Sequence, residues 1–78
     1  MTRSAFSRKY KRLRLLLAEA RRAAGLRQTD LSRQLSRPQS FVSKFERGER
    51  RLDVVEFLEV AHALGVDPIQ LLREIDRA

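Results

Sequence analysis

The stretch from Gln28 to Arg47, QTDLSRQLSRPQSFVSKFER, restricts the possible folds more than any other part of this chain. It reads as two short helices separated by a tight turn. In the first, Leu31 and Leu35 fall one turn apart. In the second, a helical advance of about 100° per residue separates two arcs. Gln39, Ser40, Ser43, Lys44 and Arg47 share one arc; Phe41, Val42 and Phe45 share the other, with Glu46 as its one charged residue. Ser32 is small where the two helices should cross most closely. Helices this short cannot bury an apolar face alone, so other helices must pack around them.

The glycines and prolines mark where those helices lie. Gly25, Gly48 and Gly65 each follow a periodic segment, as a helix C-terminal cap requires. Leu26 is expected to fold back toward Ala20, and Val66 toward Val60 and Ala61. Pro38 and Pro68 suit a first helical turn, where a missing N–H costs nothing. Asp53 with Glu56, and Asp67 with Gln70, have capping-box spacing. No strand-like alternation appears. The pattern predicts helices at 8–24, 28–35, 38–47, 54–64 and 68–76, preceded by a flexible basic arm at 1–7. The expected inward faces are Leu13, Leu16, Leu17, Ala20 and Ala24; then Val54, Phe57, Leu58, Ala61 and Leu64; then Leu71, Leu72 and Ile75. Residues 8–78 should form one compact, all-α, five-helix domain, the size expected of 78 residues.

Charge is segregated along the chain. The net charge is +7. Residues 1–27 carry nine Lys or Arg against Glu19 alone, whereas residues 53–78 carry only Arg73 and Arg77 against six carboxylates. A polyanion should therefore meet the first two-thirds of the chain, leaving the acidic last third for another task. There is no cysteine, hence no disulfide or thiolate metal site. The longest near-continuous apolar patch, Leu13–Ala18, is interrupted by Arg14 and is too short to cross a bilayer. The basic N-terminus lacks the uncharged core and cleavage site of a secretion signal, and a cytoplasmic location is expected.

The polar arc of the second short helix suits a DNA major groove, which admits one α-helix and displays a distinct donor–acceptor pattern for each base pair. Glutamine matches adenine N6 and N7, lysine matches guanine N7 and O6, and serine can contact any base or a phosphate. On residue types alone this arc is equally an ordinary solvated face. Gln28 adds weight to the first reading: it opens the preceding helix, where free N–H groups favour a phosphate.

The helix pair then resembles the phage-repressor type of helix-turn-helix domain, the group of lambda repressor, Cro and the XRE-like bacterial regulators. The matching residues are Gly25–Gln28 (GLRQ), Leu31, Leu35, the run PQSFVSKFERG at 38–48, and ALGVDP at 63–68. The resemblance covers residues 10–75 and implies a lambda-repressor-like fold. It places Gln39, Ser40, Ser43 and Lys44 at base-reading positions. It places Gln28 at a phosphate contact, where it can also brace Gln39. Arg47, Arg50 and Arg51 fall where the family grips the backbone. It pairs the carboxylate at Glu46 with an arginine four residues before the helix-1 glycine, here Arg21. Four positions depart from the family pattern. Ser36 stands where glycine is usual in the turn, and serine is penalised in a left-handed conformation. Arg27 stands where a hydroxyl residue caps the helix, and Arg37 where a small apolar residue is usual. Both arginines are therefore expected to add phosphate contacts. Phe41 replaces a common Ser or Thr and should be partly buried.

The resemblance implies a transcriptional regulator that binds double-stranded DNA, needs no cofactor or metal, and acts as a homodimer on a (pseudo)palindromic operator. Val66, Pro68, Ile69 and Leu72 are the expected dimer contact. Short relatives include controller proteins of restriction–modification systems and phage repressors. An antitoxin that neutralises a partner enzyme is a rival of another class. Membrane-surface binding by basic helix 1, with Leu15 at its edge, is a third reading. His62 stands alone mid-helix, no serine has a recognisable base and no glycine-rich phosphate loop exists, so enzymatic activity is not expected.

Overall fold

The computed structural model describes residues 7–78. Residues 1–6, most of the expected basic arm, lie outside the described residues. Ser7, assigned to that arm by the sequence, instead caps the first helix: its Oγ accepts from the Tyr10 N–H at 3.1 Å. Five helices follow: α1 (Arg8–Ala23), α2 (Gln28–Gln34), α3 (Gln39–Arg47), α4 (Val54–Leu64) and α5 (Pro68–Asp76). No strand occurs among the described residues.

Local chemistry explains most boundaries. Gly25 (φ 74°) and Gly65 (φ 71°) turn left-handed after α1 and α4. Each closes its helix by a backbone bond from the following residue, Leu26 N–H to Arg21 O at 3.1 Å and Val66 N–H to Ala61 O at 3.0 Å. The Asp53–Glu56 capping box is complete, with bonds of 2.7 and 3.0 Å in the two directions. Asp67 caps α5 through the Ile69 N–H at 2.9 Å, one residue short of Gln70, so it is a simple N-cap and the expected box with Gln70 does not form. Pro68 occupies the first turn of α5. Pro38 does not enter α3; it is the extended N-cap residue (ψ 153°), one position earlier than expected.

α2 and α3 pack on one another, while α1 spans α3, α4 and α5. The centre of the core is Leu17, Leu31, Val42, Phe45 and Val60, each under 2% exposed. Three residues expected on inward faces, Val54, Ala24 and Leu72, are exposed instead. Val60 is buried, whereas Val54 is 74% exposed. The buried arc of α4 runs through Phe57, Val60 and Leu64, and Val54 falls at its edge, where it meets solvent. Ala24, the cap residue just past the end of α1, is exposed as well. Tyr10 and Ala18, not expected in the core, are both buried.

Candidate nucleic-acid interface

α3 presents its two arcs as separate environments. Phe41, Val42 and Phe45 are buried, and the two phenylalanine rings meet edge to face at 5.6 Å. Gln39, Ser40, Lys44 and Arg47 are exposed, and Ser43 is half-buried. The helix is held at both ends by its neighbours. Leu31 and Ser32 of α2 are buried against it. The Ser32 hydroxyl has no partner among the described residues, so the crossing exploits its small size, not its polarity. At the other end Gly48 (φ 80°) leaves α3, and a Cβ there would stand 3.1 Å from Arg14 Nε. Arg14 Nη1 donates to Glu46 O at 2.8 Å, tying α1 to the last turn of α3.

The turn between α2 and α3 keeps the left-handed geometry despite its serine. Ser36 has φ 56°, and the Arg37 N–H reaches back to Ser32 O at 3.0 Å. The strain of a side chain in that region is therefore present in the fold.

A continuous polar network runs from inside the bundle to the exposed face of α3. Arg21 Nε donates to Glu46 Oε2 at 2.7 Å and Arg21 Nη2 to Glu46 Oε1 at 3.0 Å. The two side chains are only 11% and 8% exposed. Arg21 Nη1 also donates to Leu26 O at 2.8 Å. The Glu46 hydrogen bonds, then its charge, push the Arg21 guanidinium further above its ordinary value, against the opposing effect of burial. Gln28 Nε2 donates to the same carboxylate, Oε1, at 3.0 Å. Gln39 Nε2 in turn faces Gln28 Oε1 at 3.5 Å.

The cations around the site divide into two kinds. Arg27, at the N-cap of α2, cannot accept a hydrogen bond, and Asp30 supplies the cap in its place: its Oδ2 accepts from the Arg27 N–H at 2.8 Å. The Arg27 guanidinium lies alongside at 3.1 Å, and these hydrogen bonds hold the Asp30 carboxyl down at about 2. Arg47 pairs with Glu49 at 2.8 Å, both side chains more than half exposed. Arg51 stacks over the Tyr10 ring at 5.1 Å and has no carboxylate partner among the described residues.

Arg37 and Arg50, expected at the phosphates, are instead turned to carboxylates of α4. Arg50 forks onto Glu56 with bonds of 2.9 and 2.8 Å. Arg37 lies 3.6 Å from Glu56 and 3.3 Å from Glu59. Both guanidiniums cover the Phe41 ring, at 4.5 and 4.9 Å from its centroid, which keeps that ring buried. The Arg50 hydrogen bonds, then the Asp53 N–H, lower the Glu56 carboxyl to about 2. The Tyr10 hydroxyl donates to Arg50 O at 2.8 Å and accepts from the Leu52 N–H at 3.2 Å, fixing the loop after α3. Burial raises the Tyr10 phenol. Tyr10, Arg14 and Glu56 carry no local signal of these roles, since each acts on a residue distant in sequence; only Glu56 was legible, as a cap.

These features match known proteins over nearly the same span. The sequence profile described as a helix-turn-helix domain fits residues 12–74. The chain belongs to the XRE-type helix-turn-helix family of transcriptional regulators. A relative from Sinorhizobium fredii, the uncharacterized HTH-type transcriptional regulator y4dJ, is 36% identical over 59 residues, covering 76% of this chain and 77% of that one. The solved XRE-family-like protein from Pseudomonas syringae pv. tomato superposes with TM-score 0.84 at 51% identity, covering 88% of this chain and 84% of its own. The restriction–modification controller protein C.AhdI from Aeromonas hydrophila superposes with TM-score 0.73 at 34% identity, covering 80% and 94%. The DNA-binding helix-turn-helix unit of this family is therefore α2 with α3.

Of the expected dimer residues, Ile69 (55%) and Leu72 (47%) are the exposed ones, and Val66 and Pro68 are half-buried. No group of three or more His, Cys, Asp or Glu able to hold a metal ion occurs among the described residues. Nor is any helix there long and apolar enough to cross a membrane. His62 is exposed.

Proposed function

We propose that the protein is a cytoplasmic, sequence-specific regulator that occupies a (pseudo)palindromic DNA operator as a homodimer, without cofactor or metal. The observation that carries this reading is α3: a polar face exposed except at half-buried Ser43, on a helix whose opposite face is buried and whose two ends are tied to α1 and α2. Such a helix enters a major groove as a rigid body. Gln39, Ser40, Ser43 and Lys44 then read base edges.

The phosphate contacts rank by what each cation must give up. Arg51 breaks no ion pair. Arg27 and Arg47 leave solvent-exposed pairs, which contribute little to stability, so a phosphate replaces those partners at little loss. Gln28 keeps only the second hydrogen of its Nε2 for a phosphate, since that nitrogen already donates to Glu46 and its Oε1 faces Gln39. Arg37 and Arg50 would have to abandon Glu56, whose side chain is only 10% exposed; they brace the loop and do not grip DNA in this arrangement.

One recognition helix reads only a few base pairs, so useful specificity requires two copies, with recognition helices about 34 Å apart for half-sites one turn apart. Ile69 and Leu72, joined by exposed Val54 along the groove beside Leu58, form the apolar surface for the second copy. The likeness to C.AhdI favours a restriction–modification controller over an antitoxin.

The test is selection of binding sites from random duplex DNA, followed by affinity measurement on the selected and on scrambled duplexes. An inverted repeat is expected, and Gln39→Ala should lower affinity for the selected site by about 1–3 kcal/mol with little change on scrambled DNA. Equal losses on both would remove Gln39 from base reading. Leu72→Asp should shift the protein to monomer in sedimentation equilibrium; an unchanged dimer would place the interface elsewhere.

A further inference from the structure

We propose that Glu46 is a positioning residue for base selectivity: acting through Gln28, it sets the donor–acceptor polarity of Gln39 so that this side chain pairs with adenine and rejects guanine. The proposal rests on the assignment of Gln39 to base reading above. A carboxylate beside an arginine only accepts hydrogen bonds. Glu46 takes its bonds from Arg21 Nε, from Arg21 Nη2 and from Gln28 Nε2. The Gln28 amide therefore has one permitted orientation. Turned over, it would set its carbonyl oxygen against the carboxylate. With its NH2 group held inward, Gln28 presents Oε1 outward, toward α3.

That outward oxygen decides the next amide. Gln39 lies 3.5 Å away and offers Nε2 to it. The separation is long for an N–H···O bond, so its influence is through polarity: the reversed amide would place two carbonyl oxygens face to face. The Gln39 amide is left with one free N–H and one free oxygen. Adenine displays N7 as acceptor and N6 as donor in the major groove, which uses both. Guanine displays two acceptors, N7 and O6. It would need two N–H groups, one of which Gln28 already holds, and would meet the Gln39 oxygen at O6. A carboxylate inside the bundle thus reaches a base edge through two amides.

The experiment uses the full chain and duplexes that vary only at the base pair whose preference Gln39→Ala abolishes. Wild type should favour adenine over guanine there on the order of ten- to hundredfold. Gln28→Met removes the relay while keeping a side chain of similar length, and should reduce that ratio by about tenfold, leaving preferences at other pairs intact. Glu46→Gln can donate to Gln28 while still accepting from Arg21. It releases the polarity of both amides and should move the preference toward guanine. Thermal melts of each variant establish folding, and Gln28→Met decides the matter if Glu46→Gln does not fold. An adenine-to-guanine ratio unchanged in Gln28→Met overturns the relay while leaving base reading by Gln39 in place. So does an equal loss of affinity at every pair, which marks a structural role only. If Gln39→Ala alters no preference at any pair, the base-reading assignment itself fails and the relay with it.

Discussion

Replacing Arg21 by alanine isolates the ion pair that holds α3 to α1. The wild-type guanidinium donates twice to Glu46 and once to Leu26 O. In Arg21→Ala the carboxylate, 8% exposed, keeps only Gln28 as a side-chain donor. Breaking a buried pair on one side costs about 3–5 kcal/mol, because the remaining charge stays desolvated. A domain of 78 residues has about 4–12 kcal/mol of total stability at the usual value per residue. The variant should therefore lose between about a quarter and all of it. At about 4–8 °C per kcal/mol for a domain of this size, Tm should fall by roughly 12–40 °C. Urea denaturation followed by helical circular dichroism measures the loss directly. The double variant Arg21→Met with Glu46→Leu supplies the control. It removes both charges and fills the same space, so its stability should return to within about 1 kcal/mol of wild type or exceed it. A single-variant loss below about 1 kcal/mol would refute the account, as would a double variant no more stable than Arg21→Ala. The first result would mean that water reaches Glu46 freely, the second that the loss comes from polar groups left unpaired in both variants, such as Leu26 O, and not from the isolated charge.

Ser36→Gly should stabilise the protein by about 0.5–1 kcal/mol, since relief of a left-handed side chain outweighs the extra freedom of glycine in the unfolded chain; a lowered Tm would show that Ser36 is not strained at φ 56°. Arg51→Ala should reduce the slope of log affinity against log salt by about 0.9, whereas Arg50→Ala should leave the slope unchanged and lower Tm; the reverse pattern would return Arg50 to the phosphates. Glu56 has a folded pKa of about 2, lowered from 4.5 chiefly by Arg50. Its contribution to stability is therefore complete above the unfolded value and is lost as pH falls toward about 2. Urea midpoints measured from pH 6 down to about 2 should decline less steeply in Glu56→Gln than in wild type, and parallel declines would detach acid sensitivity from this carboxylate.

Helix positions were legible in the sequence because their causes are local. Glycine after a periodic segment, aspartate before one and a proline at a first turn act within a few residues, and the five observed helices begin and end within a residue or so of where those signals stand. The sorting of α3 was legible for the same reason, since nine residues of one helix share one rotation. Burial of Val60 in place of Val54 was not. Periodicity offers more than one apolar arc on α4, and the neighbouring helices bury the one carrying Phe57, Val60 and Leu64, which leaves Val54 at its edge. Tyr10 was invisible too, because its hydroxyl serves the backbone of Arg50 and Leu52, some forty residues away.

By itself the sequence determined an all-α, five-helix unit, the two arcs of α3 and the segregation of positive charge toward the α1–α3 side. Only the tertiary structure decided which of the arginines are available. Arg37 and Arg50 are spoken for by Glu56 and Glu59, and Arg51 is not. A guanidinium chooses among carboxylates by distance and desolvation, and both depend on how α4 lies beside the loop after α3. The same holds for Glu46. As a letter in the sequence it is an acidic residue on an apolar arc. In the fold it stands between Arg21 and Gln28, because α1, α2 and α3 converge there, and that convergence links the interior of the bundle to the face proposed to meet DNA.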